Sequence, residues 1–455
     1  MNSHLVRSCD FFLLSYFLLL LLSLKAQAQD LSDAESTRSL GRTVDEAPVT
    51  PGTLSHTFLS CPVMNEHQTQ RASFGSQEYT YKNSTEIDYS QDHWDERLAS
   101  NWSALDGLVE LGMHAVLIDI RQVEGKPAYL YLASRGRQHK LYETWSSSKF
   151  IAAVAAISKA RLNSEGKVGA ESKVGGYQIG DLISRMHRYY VNFGAASASS
   201  NALGKYFAKL AGASTSHPEG YANWLLGSGW LKMSDATYMN AASFGESPFD
   251  PESLNWTSDV SGMSQVMPPG TGNGNKEMSA LAQAEILKRM SQHERDPSTR
   301  VPGFQDIDAQ ILFYGNPARS GEPGGMSAGV SNYLTHGLTG ASTATSIRST
   351  LDAMAGDQWR VYSKMGWGDS SNPNRGCSAK RPCGEAILVA YACLPQYQGG
   401  HEFVLVTYAS YPGRTHEFAS KKTSRTVDKL MTAIKLSWQQ AHDHPQPENS
   451  QFYQE

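Results

Sequence analysis

The chain has 455 residues, 18% of them charged, and a formal net charge of −4. That length suits one large domain or two ordinary ones. With no basic run or stripe, the charge pattern excludes a nucleic-acid binder, and 19 prolines with 39 glycines are ordinary for a globular protein.

The chain starts as an exported protein does. Arg7 supplies a short positive stretch, Phe11 to Leu24 is almost wholly apolar, and Ala26-Gln27-Ala28 puts small residues at the two cleavage positions. The expectation is a signal peptide over residues 1–28, cut after Ala28, and a periplasmic or secreted product. The apolar run is short for a bilayer span, and no other stretch is long and apolar enough, so no stable membrane span is expected after cleavage. Cys9 leaves with the signal. Cys61, Cys377, Cys383 and Cys393 then allow two disulfides in three connectivities. Cys377 and Cys383 bracket a five-residue segment that reads as a stapled loop. Cys393, inside an apolar strand, reads equally as a buried thiol. No Cys-x-x-Cys pair points to metal.

Residues 29–91 are polar and aperiodic and read as a lead-in or linker. Trp94, Leu98, Trp102, Leu105, Leu108 and Leu111 have helical spacing and predict a helix over 92–111. Ala115 to Ile120 is a strand, with Ala128 to Leu132 as its hairpin partner. Trp145-Ser146-Ser147-Ser148-Lys149-Phe150 opens a buried helix running on through Ile151 to Ile157. Helices follow at 179–190, 202–210 and 278–290, with Gly-, Pro- and Asn-rich loops at 261–275 and 315–329. Strands at 359–363, 386–393 and 403–409 and an amphipathic helix at 426–438 close the ordered part, ahead of a polar tail at 442–455. The order implies an α+β fold: a five-stranded antiparallel sheet flanked by terminal helices, plus an all-helical lobe, with the active site in the cleft between them. The catalytic domain is expected over 92–441.

Three short motifs carry chemistry. Ser146 lies one helical turn before Lys149, on the same face. A serine at a helix N-terminus sits near positive backbone N–H groups, and a lysine sunk among apolar residues loses solvation, so that its pKa falls and it can act as a base. Ser199-Ser200-Asn201 offers a hydroxyl for proton relay and an amide to hold substrate; by itself it reads equally as a helix cap. Lys364-Met365-Gly366-Trp367 ends a strand: the lysine can attract a carboxylate, Gly366 permits close approach by a ligand, and the next N–H can face a developing oxyanion.

In this order Ser-x-x-Lys, Ser-x-Asn and Lys-x-Gly resemble the penicillin-recognising serine enzymes, the superfamily of serine β-lactamases and D-alanyl-D-alanine peptidases. The resemblance covers roughly residues 92–441 and is nearest the class A-like branch, where a stretch like Tyr177 to Leu182 also precedes Ser-x-Asn. It implies that Ser146 is the nucleophile, Lys149 accepts its proton, Ser199 relays a proton to the leaving nitrogen, Asn201 holds the substrate amide and Lys364 orients the substrate carboxylate. The N–H groups of Ser146 and Trp367 would form the oxyanion hole. No metal or organic cofactor is implied. The substrate would be a small-molecule β-lactam or a peptidoglycan peptide of the D-Ala-D-Ala type.

Three departures stand out. Met365 occupies the place of a usual Thr or Ser, Trp367 is bulky for a position beside the oxyanion hole, and extra loops at 240–275 and 291–335 lengthen the gap between the second and third motifs. The glutamate with which class A β-lactamases deacylate has only weak candidates in Glu252, Glu246 and Glu277. A non-catalytic penicillin- or peptidoglycan-binding protein is the alternative. Gly325-Met326-Ser327-Ala328-Gly329 matches a nucleophile elbow but is preceded by loop sequence rather than a strand. Gly270 to Asn275 lacks the Lys-Ser/Thr of a phosphate cradle.

Overall fold

The computed structural model describes residues 102–123, 126–174, 177–187, 200–212, 220–233, 277–316, 324–326, 360–394 and 401–443. The expected signal peptide, the 29–91 lead-in with Cys61, the loop at 261–275 and residues 444–455 of the tail lie outside them.

Met113–Val123 (β1) and Lys126–Ala133 (β2) form the expected antiparallel hairpin, Ile118 opposite Tyr131. Leu141–Glu143 (β3) leads into a 3-10 turn, Trp145–Ser148, and then helix α1 (Lys149–Asn163). Lys173–Val174 (β4) pairs with Tyr177–Gln178 (β5) ahead of α2 (Ile179–His187), α3 (Ser200–Leu210) and the single turn α4 (Tyr221–Trp224). Glu277–Ser279 (β6) pairs with β3 and opens α5 (Ala280–Ser291), followed by α6 (Asp306–Tyr314). Arg360–Ser370 (β7), Cys383–Leu394 (β8), His401–Pro412 (β9) and α7 (His416–Asp443) end the described chain.

β1 and β2 join the three C-terminal strands in one antiparallel sheet of order β2-β1-β9-β8-β7. β8 packs all twelve of its residues out of solvent, which is why its sequence from Ala386 onward is a continuous apolar run. One face of the sheet carries Val116, Ile118, Ile387, Val389 and Val406, packed on the helical lobe. The other carries Leu117, Leu388 and Leu405, packed on Val427 and Leu430 of α7. The result is the expected α+β arrangement of a five-stranded antiparallel sheet beside a helical lobe, with the C-terminal helix on the sheet's other face. Helix α1 runs through the lobe with thirteen of its fifteen residues buried, as a helix apolar on every side must be. Arg161 near its end is 2% exposed and holds Asp308 of α6 through Nε and Nη2, each at 2.8 Å.

Several expected boundaries shift. Residues 102–110 form turns rather than the predicted helix: Leu105 and Val109 pack on the sheet while Leu111 is 84% exposed, and Arg135 binds the carbonyls of Val109 and Met113. Met278 belongs to β6, so α5 starts two residues later, capped by Ser279 accepting from the Ala282 N–H. β7 does not stop at Ser363. Its ladder with β8 continues to Ser370 opposite Cys383, because the neighbouring strand supplies hydrogen bonds that glycine-rich local sequence does not advertise. α7 begins ten residues before the predicted start. Cys377 and Cys383 are disulfide-bonded, as their spacing suggested. Cys393 is disulfide-bonded too, which corrects the buried-thiol reading.

Candidate active site

The turn before α1 separates three consecutive serines by role. Ser147 donates to the Thr144 carbonyl at 2.6 Å, and its hydroxyl also meets Gln283 of α5; Ser148 accepts from Thr144 Oγ1 at 2.8 Å. Both are buried, whereas Ser146 is partly exposed. The serine of Ser-x-x-Lys that a ligand can reach is therefore Ser146. Trp145 just before it has φ +48, a left-handed conformation costing a non-glycine residue about 1–3 kcal/mol.

Lys149, 1% exposed, directs Nζ away from the apolar core onto α3. It donates to Ser200 Oγ at 3.0 Å and to Asn201 Oδ1 at 2.5 Å. Ser200 in turn donates to the Met186 carbonyl of α2 at 2.6 Å. Gly204, one turn further along α3, makes room for the lysine stem: a Cβ there would lie 2.9 Å from Lys149 Cγ. The first two motifs thus meet at Lys149 and Asn201. Ser199 lies outside the described residues. Ser200, passed over as the variable position of Ser-x-Asn, is a direct lysine partner.

The third motif reaches the same turn through strand alternation. Lys364 is 1% exposed, and Gly366 lies against the Ser146 turn, where a Cβ would stand 2.6 Å from the Thr144 carbonyl oxygen and 2.7 Å from the Ser146 nitrogen. Gly368 meets the Trp145 ring. Met365 and Trp367 belong to the other face: Met365 is packed in the cluster under α7, and the Trp367 ring is stacked beside His416 at 6.4 Å. The expectation that bulk at Trp367 crowds the oxyanion position is corrected, since only its backbone is on that side. Met365 is likewise turned away from the cleft.

His187, at the end of α2, is fully buried. Burial, with Lys364 and Lys149 nearby, pushes its imidazole down to about 3. The ring is therefore neutral near pH 7; Nδ1 donates to the Ile183 carbonyl at 2.8 Å, and the proton-free Nε2 has no hydrogen-bond partner among the described residues.

Of the three candidate carboxylates, Glu246 and Glu252 lie outside the described residues. Glu277 is ion-paired to Arg375, which also reaches Glu385. Glu385, missed in the sequence, is fully buried and accepts from Trp145 Nε1 at 3.0 Å and from Tyr408 at 3.0 Å. Burial raises its carboxyl above the ordinary range, against the pull of Arg375, Trp145 and Tyr408. The available signal was a charged residue opening an otherwise apolar strand.

The nucleophile-elbow segment has a structural part: Met326 donates to the Leu312 carbonyl and Gly325 to Ser184 Oγ, closing a turn on α6. Ser327 lies outside the described residues. Among the described residues no helix is long and apolar enough to cross a membrane, and no group of three His, Cys, Asp or Glu side chains is placed to hold a metal ion.

No protein-family profile and no curated protein matches the chain. Solved structures that match include β-lactamases and a PBP-A. The TLA-3 extended-spectrum β-lactamase is 11% identical, with 71% of this chain and 93% of that one covered at TM-score 0.35. A β-lactamase from Xanthomonas campestris is 12% identical, with 73% and 96% covered at TM-score 0.39. PBP-A, solved as an acyl-enzyme complex with penicillin G, is 12% identical, with 73% and 95% covered at TM-score 0.36. At such identities and TM-scores, the chemistry has to be argued from the site itself.

Proposed function

We propose that the chain is a serine hydrolase that works through an acyl-enzyme on Ser146, acting on β-lactams or on D-Ala-D-Ala-type peptides. One observation carries this reading: Lys149, a turn beyond the accessible Ser146, is bound by Ser200 and Asn201, while β7 brings Gly366 against the Ser146 amide. Three distant sequence segments supply a nucleophile, a base and a close-approach backbone at one place.

In this reading Ser146 Oγ attacks the substrate carbonyl and its proton passes to Lys149, directly or through water. An amine that donates to Ser200 and Asn201 still has a lone pair when neutral, which is the form able to accept. The developing oxyanion is held by the Ser146 and Trp367 N–H groups, the latter next to the Gly366 contact. Ser199 passes the proton to the leaving nitrogen, Asn201 binds the substrate amide and Lys364 draws the substrate carboxylate. With Arg375 on Glu277, that carboxylate is occupied structurally, which counts against it as the deacylating group. This favours a slowly deacylating, peptidase-like enzyme over a fast β-lactamase. Export to the periplasm or medium remains part of the proposal, resting on the N-terminal sequence.

The test is an intact-mass time course with a penicillin, run beside Ser146→Ala. A Ser146-dependent adduct that persists supports the peptidase-like form. An adduct that clears while penicillin is consumed supports a β-lactamase. Absence of any adduct, with penicillin and with a D-Ala-D-Ala peptide ester alike, would replace the enzyme by a binding protein.

A further inference from the structure

Behind the Ser146 turn lies a buried polar cluster that the acylation chemistry does not use. Gly368 of β7 and Glu385 of β8 are cross-strand partners. Gly368 has no side chain, and the Trp145 ring occupies the space: a Cβ there would lie 2.4 Å from Cη2 and Cζ3 of the indole. From that seat the indole N–H reaches Glu385 Oε2 at 3.0 Å. Glu385 Oε1 accepts from Tyr408 at 3.0 Å, and Arg375 Nη1 stands 3.3 Å from both carboxylate oxygens. Arg375 also pairs with Glu277, whose strand partner Glu143 belongs to β3, the strand that feeds the Ser146 turn. The Cys377–Cys383 disulfide staples the loop that carries Arg375.

We propose that Trp145 and Glu385 are positioning residues: their hydrogen bond, over Gly368, clamps the Ser146 turn onto β7 and so fixes the Ser146 amide relative to the Trp367 amide. The inference rests on the acyl-enzyme reading for its kinetic consequence, not for its structural one. Trp145 keeps a left-handed backbone that a tryptophan disfavours, and a conformation of that kind persists only where surrounding contacts hold it. The ring over Gly368 and the bond to Glu385 are those contacts. A pair of oxyanion donors works by being in place before the charge develops, so loosening the turn slows acylation without weakening prior binding. Arg375, bound on both flanks, pulls against the burial that raises the Glu385 carboxyl and directs its oxygens.

The test compares Trp145→Phe, which keeps a ring and loses the donor, Glu385→Leu, which loses the acceptor, and Glu385→Gln, which keeps an acceptor for the indole. Two readouts are taken: the acylation rate constant and the dissociation constant of the non-covalent complex with a fluorescent penicillin, and amide hydrogen exchange over 144–148 and 366–370. Trp145→Phe and Glu385→Leu should each slow acylation by about tenfold or more with the dissociation constant changed less than about twofold. The double variant should be no slower than the slower single one, and Glu385→Gln should restore most of the rate. Exchange in both segments should quicken about tenfold while α7 stays protected. Additive effects, or exchange unchanged in Trp145→Phe, would overturn the clamp. If the wild type forms no adduct with penicillin or with a D-Ala-D-Ala peptide ester, the acyl-enzyme reading fails separately, and the exchange measurement still decides whether Trp145 and Glu385 hold the turn.

Discussion

A Cβ added at Gly366 would stand 2.7 Å from the Ser146 backbone nitrogen. Strand β7 and the nucleophile turn are therefore in backbone contact, and nothing larger than glycine fits between them. The neighbouring atoms, the Thr144 carbonyl oxygen at 2.6 Å and the Ser147 nitrogen at 2.8 Å, are backbone as well and cannot swing aside. Gly366→Ala should part the two elements, costing about 1–3 kcal/mol of stability and slowing acylation by roughly a hundredfold or more. Stopped-flow acylation kinetics and thermal unfolding check both halves; an alanine variant with the wild-type rate would dissociate the glycine from the oxyanion site.

Gly204 makes a different case. Its nearest neighbours are the Cγ, Cδ and Cε atoms of Lys149, a flexible stem. Gly204→Ala lies inside α3, where alanine is favoured over glycine by about 0.5–1 kcal/mol. Stability should hold or rise slightly, while the displaced lysine amine slows acylation about tenfold. The same rate and unfolding measurements, now moving in opposite directions, make the check.

Asp308 collects four hydrogen bonds in the core, from Arg161 Nε and Nη2 and from the Ala170 and Gln305 N–H groups. Asp308→Ala takes from a buried guanidinium its buried carboxylate partner, at a cost of about 3–5 kcal/mol. A urea midpoint shifted by far less would show that Glu171, the other Arg161 partner, takes over.

Two buried histidines set an acid limit. Burial, with Lys140, Arg137 and Arg135 nearby, pushes His114 down to about 4, and His187 lies at about 3. Their folded pKa values are below the unfolded one, so the unfolded chain binds the extra protons. Stability is intact above about pH 6.5 and declines as the pH falls towards the folded values. Between pH 7 and pH 5 the two sites together should remove roughly 4 kcal/mol. Urea unfolding at the two pH values measures the loss, and His114→Gln should return about half of it.

The sequence by itself determined the strands and helices whose patterns are local. Ala115 to Ile120, interrupted only by Asp119, and Ala386 to Cys393 are apolar runs, because both faces of the sheet are covered, and α1 is largely apolar all round for the same reason. It also put Ser146 three residues ahead of Lys149 at the entry to α1, a spacing that the local sequence carries by itself. Apolar spacing misled at 102–110, where the Arg135 contacts favour turns over a helix. The second half of β7 was invisible because Lys-Met-Gly-Trp-Gly has weak strand preference, and only the ladder to β8 makes it a strand.

Tertiary structure alone decided the rest of the site. Asn201 lies 52 residues from the lysine it binds, and Glu385 lies 240 residues from Trp145. Which face Trp367 shows was fixed by where α7 packs. Side-chain meetings of this kind are set by the sheet order and by the volume left between layers, and neither is written in any short stretch of sequence.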